Sequence, residues 1–328
     1  MKHTEKKAFG FITAMAVFST TLGGAVSAET WDMATPYGEG NFHTVNISQF
    51  AKDVETATNG DLSINIHSGG SLIKHPEIKN AVRGGQIPIG EFFLSRLANE
   101  NAVFQVDSIP FLASNYDDAK KLWAASRPDI ETLLDKQGLM VLFSVPWPPQ
   151  GFYSKTEINE LADMRGMKFR ANNTATETLA TLAGAVPTQV EVPDIPQAFS
   201  TGRVEAMATS PSTGANTKAW DFVNYFYHTQ AWLPKNVVVV NKKAFRKLSD
   251  DQKAAVLAAA ASAETRGWQA SMAETDAKIA ILSENGMKVL APSEKFAAEL
   301  AEIGETMTAA WLEKTGDVGT EIMETYSK

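Results

Sequence analysis

Short runs of apolar residues alternate along the chain with stretches whose apolar residues recur at helical spacing. The short runs predict strands at residues 31–34, 62–66, 87–93, 167–170, 187–190 and 204–209. The helical spacing predicts intervening helices around residues 45–54, 76–83, 174–183 and 194–201. Because alternating strands and helices favour parallel sheets, this order predicts an α/β fold with two similar lobes whose strand carboxyl ends face a shared crevice.

Two segments are predicted to carry the chain between the lobes. A buried-strand pattern at residues 141–145 runs into Pro146-Trp147-Pro148-Pro149, and proline does not fit a central strand because it lacks an N–H donor. We interpret this stretch as one crossing and residues 237–240, after Pro234, as the return, so that the two form a hinge. The predicted lobes are then residues 29–147 with about 238–280, and residues 148–237 with about 281–328.

A helical stretch from Ser249 to about Glu284 follows the second crossing. Ser249 is a favourable N-cap, and Gly286 ends the pattern. At 1.5 Å per residue this helix is roughly 50 Å long, which is enough to brace both lobes. One more strand at residues 287–290, a helix at about 293–314 and a final helix after Gly319 complete the prediction.

The first 28 residues predict export. Lys2, Lys6 and Lys7 precede an uncharged stretch that closes with small residues at Ala28, a pattern typical of a signal peptide cleaved after Ala28. An uncleaved membrane anchor is the alternative. No later stretch approaches the roughly 20 apolar residues that a membrane span needs, so we expect a periplasmic mature chain that is not inserted in the membrane.

Composition excludes several kinds of chemistry. The chain has no cysteine, so it has no disulfide, no thiolate metal site and no cysteine nucleophile. Its 30 basic and 38 acidic residues give a net charge of −8, which argues against a nucleic-acid partner because such binding depends on neutralising phosphates. An anionic ligand would have to be attracted by a local positive group, since the overall field repels it.

Motifs for catalysis or cofactor binding were sought in the same sequence. The histidines lack metal-site spacing, and no GxSxG, SxxK, P-loop or GxGxxG motif follows a predicted strand. We therefore expect no cofactor, no protein metal site and no enzymatic activity. An exported hydrolase is the alternative, because paired catalytic carboxylates are recognised by geometry and not by spacing in the sequence.

One arginine stands where the second α/β unit begins. The stretch Gly166-Met167-Lys168-Phe169-Arg170 leads through a predicted strand and places Arg170 at its carboxyl end. A guanidinium there can offer a permanently charged, two-pronged hydrogen-bond donor to a single carboxylate, which lysine cannot match geometrically. A structural ion pair is the alternative role for Arg170.

Residues 161–170, Leu-Ala-Asp-Met-Arg-Gly-Met-Lys-Phe-Arg, resemble the signature segment of TRAP (tripartite ATP-independent periplasmic) transporter solute-binding proteins. The resemblance extends over the mature chain and includes residues 70–73, 107–111 and 197–206. It implies a two-lobed periplasmic binding protein, with a hinge of two crossings and a long bracing helix, that delivers a ligand to small and large membrane permease subunits. It also implies that Arg170 clamps the ligand carboxylate. The alternative is a receptor that reports its ligand to a membrane sensor kinase; it would have the same pocket but a different docking face.

The resemblance extends to further ligand-binding residues in the crossings, on the strand after Gly202 and in the loop near the second crossing. In this chain they are Trp147, Gln150, Phe152, Thr209, Ser210, Trp232 and Asn236. Lys74 and His75, at the start of a helix beside the crevice, are further candidates, with a role as a surface cap as the alternative. Phe92 and Phe93 are adjacent on a strand, so only one of them can face the crevice; Phe93 is our candidate.

The ligand is expected to be a small organic acid with one carboxylate. The first crossing contains no second arginine, and the several aromatic candidates favour a flat partner, so a benzoate-like or other aryl monocarboxylate is the first prediction. An aliphatic 2-oxo or hydroxy acid, or a sugar acid, is the alternative. A sugar acid is less favoured because each buried hydroxyl needs a polar partner.

Overall fold

The five strands of the first sheet come mainly from the N-terminal part of the chain. In the computed structural model, which describes Met1 and residues 28–328, they are β1 (Glu29–Ala34), β2 (Leu62–His67), β3 (Ile89–Phe93), β4 (Leu139–Pro146) and β10 (Lys235–Asn241). Their order is β2-β1-β3-β10-β4, with β1 parallel to β2 and β3, and β10 antiparallel to β3 and β4. This sheet packs against α1 (Phe42–Ala57), α2 (Ile78–Gly84) and α3 (Tyr116–Asp135).

The second sheet has six strands from the later part of the chain. They are β5 (Gly151–Ser154), β6 (Lys168–Ala171), β7 (Val186–Gln189), β8 (Ala206–Thr209), β9 (Tyr225–Tyr227) and β11 (Lys288–Leu290), in the order β11-β9-β5-β8-β6-β7. Strand β6 is parallel to both of its neighbours, β7 and β8. Interleaved with them in sequence are α4 (Thr174–Leu182), α5 (Ile195–Ser200) and α6 (Pro211–Asn216).

Two crossings between the sheets, from β4 to β5 and from β9 to β10, run side by side, and a later helical segment carries the chain from β10 to β11 in the second sheet. The Trp147 N–H donates to the carbonyl of Pro234 at 2.8 Å, and the Gln150 N–H donates to the carbonyl of Trp232 at 2.9 Å. Pro146 is the last residue of β4, an edge strand, where a missing N–H is tolerated. The two-lobed α/β fold with two crossings that the sequence predicts is thereby confirmed.

Helix α8 (Asp250–Glu284) contacts elements of both sheets and is the bracing helix that the sequence predicts. Ser249 caps it through a hydrogen bond from the Gln252 N–H to Oγ at 3.1 Å, in a reciprocal capping box. Near its middle, the Ala263 carbonyl accepts from Asn46 Nδ2 of α1 at 2.9 Å. Further along, Glu274 accepts from the hydroxyl of Ser212 on α6 at 2.7 Å.

The remaining helices are α7 (Lys242–Lys247), α9 (Glu294–Thr315) and α10 (Asp317–Tyr326). The predicted start of the last helix after Gly319 is wrong, because Gly319 lies inside α10 and is packed closely against Thr315. Helix α10 contacts α3 beside the first sheet, with the Tyr326 hydroxyl donating to the Leu112 carbonyl at 2.8 Å. The assignment of residues 281–328 to the second lobe therefore stays a prediction.

Two predictions concern the membrane. Among the residues that the structure describes, no helix is both long enough and apolar enough to cross a bilayer. The predicted signal segment lies outside the described residues except for Met1 and Ala28, so its cleavage after Ala28 stays a prediction.

Candidate functional site: a cleft between the two sheets

The carboxyl ends of parallel strands from both sheets meet at one small cavity of about 30 Å³. The first sheet contributes residues at or beyond the ends of β1 and β3, and the second contributes residues at or beyond the ends of β6, β7 and β8. Its lining consists of Tyr37, His75, Phe93, Arg96, Trp147, Gln150, Arg170, Asn172, Glu191, Val192, Thr209, Thr213 and Pro234. This is the crevice at which α/β sheets bind ligands.

Arg170 lies at the second-sheet side of this cavity and is 1% exposed. Its Nε donates to the carbonyl of Val190 at 2.9 Å, whereas its buried Nη1 has no hydrogen-bond partner among the described residues. Burial lowers the pKa of Arg170 to about 10, against the raising effect of Glu191, so the guanidinium is still charged at neutral pH. A buried charge with a free donor is costly, and a bound anion would relieve that cost.

Glu191 forms a bridge between the two sides of the cleft. Its Oε1 is 2.8 Å from Nη1 of Arg96, and its Oε2 is 3.3 Å from Nδ1 of His75. Nε2 of His75 accepts the Phe93 N–H at 3.1 Å, which assigns the proton of the neutral ring to Nδ1 and makes that nitrogen the donor to Glu191. Burial lowers the pKa of His75, so the ring is neutral at pH 7.

The charges that line the cavity can be counted from these contacts. Arg170 and Arg96 are cations, Glu191 is an anion, and His75 is neutral. Burial alone would raise the pKa of Glu191, but His75, Arg96 and Arg170 outweigh it and lower that pKa to about 2. The lining therefore has one positive charge in excess, which matches a single ligand carboxylate.

Aromatic side chains form the wall on the first-sheet side. The rings of Tyr37 and Trp147 meet edge to face, with centroids 5.0 Å apart and an interplanar angle of 76°. Phe93 lines the cavity, whereas Phe92 belongs to the hydrophobic core, as alternation along β3 requires. Neutral polar groups complete the lining, among them Gln150, whose Nε2 donates to the Pro148 carbonyl at 2.8 Å.

The structure brings six of the residues singled out from the sequence together around the cavity. These six are Phe93, His75, Trp147, Gln150, Arg170 and Thr209. Their positions agree with a ligand site, and their contacts with a ligand stay predictions.

Five predicted residues lie elsewhere. Phe152 packs in the core, with its ring centroid 5.6 Å from that of Phe296, and Trp232 is also buried in the core and not on the cavity wall. Ser210 is the N-cap of α6 and accepts from the Thr213 N–H at 3.0 Å. Lys74 lines an adjoining outer groove of about 230 Å³, which shares Tyr37, His75 and Glu191 with the cavity. Asn236 lies behind the aromatic wall.

The sequence reasoning missed five polar residues of the lining. They are Tyr37, Arg96, Asn172, Glu191 and Thr213. Glu191 and Asn172 each follow the end of a predicted parallel strand, so the rule that placed Arg170 at the crevice also applies to them. Arg96 follows Phe93 by three residues, and no local pattern marks it.

The comparisons with known proteins agree with this geometry. The family described as "Bacterial extracellular solute-binding protein, family 7" matches residues 33–315. The chain is 44% identical to DctP7 of Bordetella pertussis, an extracytoplasmic solute receptor that binds pyroglutamic acid; the match covers 92% of this chain and 100% of that one, with a TM-score of 0.91. A second Bordetella pertussis receptor for the same acid, DctP6, is 42% identical, with coverages of 91% and 99% and a TM-score of 0.90.

A more distant relative is the 2,3-diketo-L-gulonate-binding periplasmic protein of Escherichia coli, which is 22% identical over 85% of each chain. The family match covers most of the chain, and the two receptors exceed 40% identity over more than nine-tenths of it. The chain belongs to this family, the TRAP solute-binding proteins, which are extracytoplasmic transport receptors and not enzymes.

Proposed function

We propose that this protein captures pyroglutamate, or a similarly compact cyclic monocarboxylate, and delivers it to TRAP permease subunits in the membrane. The observation that carries the proposal is the buried, charged guanidinium of Arg170, whose Nη1 points to no protein acceptor among the described residues. A ligand carboxylate would supply that acceptor in a charge-assisted pair. The two receptors that are 42% and 44% identical are named for the same acid, which supports this choice of ligand.

The chemistry of pyroglutamate fits the lining of the cavity. The molecule is a five-membered lactam with one carboxylate, one N–H donor and one carbonyl acceptor. The lining has one excess positive charge, and it offers Gln150, Thr209 and Thr213 as neutral hydrogen-bonding groups. A dicarboxylate would leave one negative charge without a partner, because Glu191 already neutralises Arg96.

The aryl monocarboxylate predicted from the sequence is the second candidate. Tyr37, Phe93 and Trp147 line the cavity and favour it, since aromatic rings pair edge to face. Two of the predicted aromatic contacts, Phe152 and Trp232, lie in the core and do not support it. We therefore place the lactam acid first.

A thermal-unfolding comparison tests the proposal. A marine metagenome relative, 41% identical, carries co-purified pyroglutamate, so the purified protein is first unfolded and refolded to remove any such ligand. Pyroglutamate at 100 times Kd should stabilise it by about 2.7 kcal/mol, which mass action sets for one site. Cyclopentanecarboxylate, which keeps the ring and the acid but lacks the lactam groups, should stabilise it less.

Arg170→Ala is the matched variant in the same experiment. It should lose the stabilisation by pyroglutamate, because the carboxylate then has no buried cation to bind. Stabilisation that persists in Arg170→Ala would contradict the clamp. Stabilisation of the wild-type protein by benzoate and not by pyroglutamate would establish the aryl acid instead.

A further inference from the structure

A buried carboxylate lies one layer behind the aromatic wall of the cavity. Glu91 is in the middle of β3 and only 1% exposed, on the same face of the strand as Phe93. An isolated buried carboxylate is expensive, so its contacts show why it is retained. Glu91 is outside the cavity lining and does not reach the ligand position.

Donors surround the Glu91 carboxylate. The Thr35 hydroxyl donates to Oε2 at 2.6 Å, Asn236 Nδ2 donates to Oε1 at 2.9 Å, and Nδ1 of His43 lies 3.2 Å from Oε1. Burial opposes ionisation, but His43, Thr35 and Asn236 together outweigh it, and the pKa of Glu91 lies below its ordinary value. The carboxylate is therefore charged at neutral pH, and it accepts hydrogen bonds from Thr35 and Asn236.

Asn236 links the Glu91 carboxylate to the cavity wall by hydrogen bonds on both sides of its amide. Because its Nδ2 faces the carboxylate, its Oδ1 faces the opposite way and accepts the Trp147 indole N–H at 3.0 Å and the Tyr37 hydroxyl at 3.2 Å. Burial and the charge of Glu91 raise the pKa of Tyr37 well above its ordinary value, so the phenol stays protonated and remains a donor. The two rings that donate these bonds are the edge-to-face pair that lines the cavity.

We propose that Glu91 is a positioning residue for the ligand site, which fixes the Asn236 amide in the orientation that holds the Tyr37 and Trp147 rings in place before the ligand arrives. A wall whose side chains are already fixed loses less conformational entropy on binding. The inference rests on the cavity proposed above as the ligand site. It does not depend on which acid is bound.

Glu91→Gln is the direct test, because it keeps the shape and replaces one oxygen by a donor. A carboxylate can only accept, so it requires the Asn236 amide to present Nδ2, whereas a glutamine amide can present either a donor or an acceptor and leaves the Asn236 amide free to turn. We expect pyroglutamate to bind about tenfold more weakly, equivalent to about 1.4 kcal/mol. In the ligand-free protein, the indole 15N–1H resonance of Trp147, identified by its loss in Trp147→Phe, should shift or broaden.

Glu264→Gln is the matched control. Glu264 also accepts an indole N–H, from Trp123 at 3.3 Å, but both residues lie at the contact of α3 with α8 and outside the cavity lining. This variant should move the Trp123 resonance, leave that of Trp147 unchanged, and keep the affinity within about twofold, as expected for a distant site. An equal loss of affinity in Glu91→Gln and Glu264→Gln would overturn the proposal.

A Trp147 resonance that does not respond to Glu91→Gln would overturn it as well. If Glu91→Gln does not fold, Thr35→Val removes one hydrogen bond to the carboxylate at nearly constant volume, and the same two changes are expected at smaller amplitude. Failure of the wild-type protein to bind pyroglutamate would count against the proposed ligand alone. The resonance comparison, made without ligand, would still decide the role of Glu91.

Discussion

Burial of Arg170 disfavours its charged form, yet the proposed ligand site needs that charge. The side chain is fixed by one hydrogen bond, from Nε to the Val190 carbonyl, and it lines the cavity with Nη1 left without an acceptor among the described residues. Burial lowers its pKa to about 10 but does not remove its charge at pH 7. Lysine, with a pKa that shifts more readily on burial, would not give the same constant charge.

Arg170→Lys therefore tests geometry apart from charge. Lysine keeps a cation but cannot bond Val190 and present a two-pronged donor to a carboxylate, so we expect affinity to fall by about 10- to 100-fold. Arg203→Lys is the control, since Arg203 is exposed, donates to the carbonyl of Gln189 and lies outside the cavity lining. Titration calorimetry measures both. An unchanged affinity in Arg170→Lys would show that Arg170 acts only as a point charge and not as a two-pronged donor.

The charge of Glu191 makes a prediction about acid stability. Its pKa is lowered from 4.5 to about 2, so the folded state binds its proton less readily than the unfolded state. The stabilisation by Glu191 is thus complete above the unfolded value and is lost as the pH falls toward 2. The difference in unfolding free energy between wild type and Glu191→Gln should be largest above about pH 5 and shrink below it. Urea unfolding at several pH values measures this difference. If the difference did not change with pH, the pKa of Glu191 would not be lowered by folding.

At the scale of elements, the loops after β3 and β6 hold the two sides of the cleft together. Nδ2 of Asn173, the N-cap of α4, donates to Oγ of Ser95 at 2.6 Å, and both residues are buried. Arg96, the residue after Ser95, donates from its guanidinium to the carbonyl of Asn172 at 3.3 Å. Because these bonds join the loop after β3 of the first sheet to the loop after β6 of the second, we expect an opening of the cleft to break them.

Ser95→Ala should accelerate ligand release. The substitution leaves Nδ2 of Asn173 buried without its acceptor in the closed state, and such a loss costs about 1–3 kcal/mol. Stopped-flow displacement should show a faster dissociation rate, with little change in association. Thr174→Val is the control, because the hydrogen bond from Thr174 to Asn99 also links the two sides but is exposed. Equal effects of the two variants would contradict a role specific to the buried bond.

The periodicity of the sequence predicts the elements because each strand and helix buries a regular set of apolar side chains. It does not fix which side chains face the cleft. The family resemblance predicts Phe152 and Trp232 at the ligand, whereas in the structure both side chains are buried in the hydrophobic core. Val45 is an apolar residue of α1 and is nevertheless 57% exposed.

The part of the site that sequence reasoning missed depends on pairs distant in the chain. Arg96 and Glu191 are 2.8 Å apart in space, and neither has a local pattern that indicates the other. Arg170 was found because it combines a strand end with a signature segment. Asn236 is predicted to contact the ligand, and in the structure it accepts from the two ring donors behind the wall, an arrangement that depends on the pairing of β3 with β10.

At the scale of the whole molecule, α8 and the paired crossings link the lobes at adjacent places. Val145, near the end of β4, lies just before the first crossing, and it packs where α8 passes at Gly267. The same helix is bonded to α1 through Ala263 and to α6 through Glu274. We infer that the spacing between α8 and β4 sets the position of the hinge relative to both lobes.

Gly267→Ala tests this close approach. A methyl group at Gly267 would overlap the Val145 side chain and come within 2.8 Å of Asn46 Nδ2, so we expect a destabilisation of about 1–3 kcal/mol even though alanine favours helices. Gly84→Ala is the matched control, because Gly84 is also helical and a methyl there meets nothing within 4 Å; it should stabilise the fold by about 0.5–1 kcal/mol. Urea unfolding measures both changes. If Gly267→Ala were as stabilising as Gly84→Ala, α8 would be free to move away from β4, and the tight contact at the hinge would not be what sets the lobe positions.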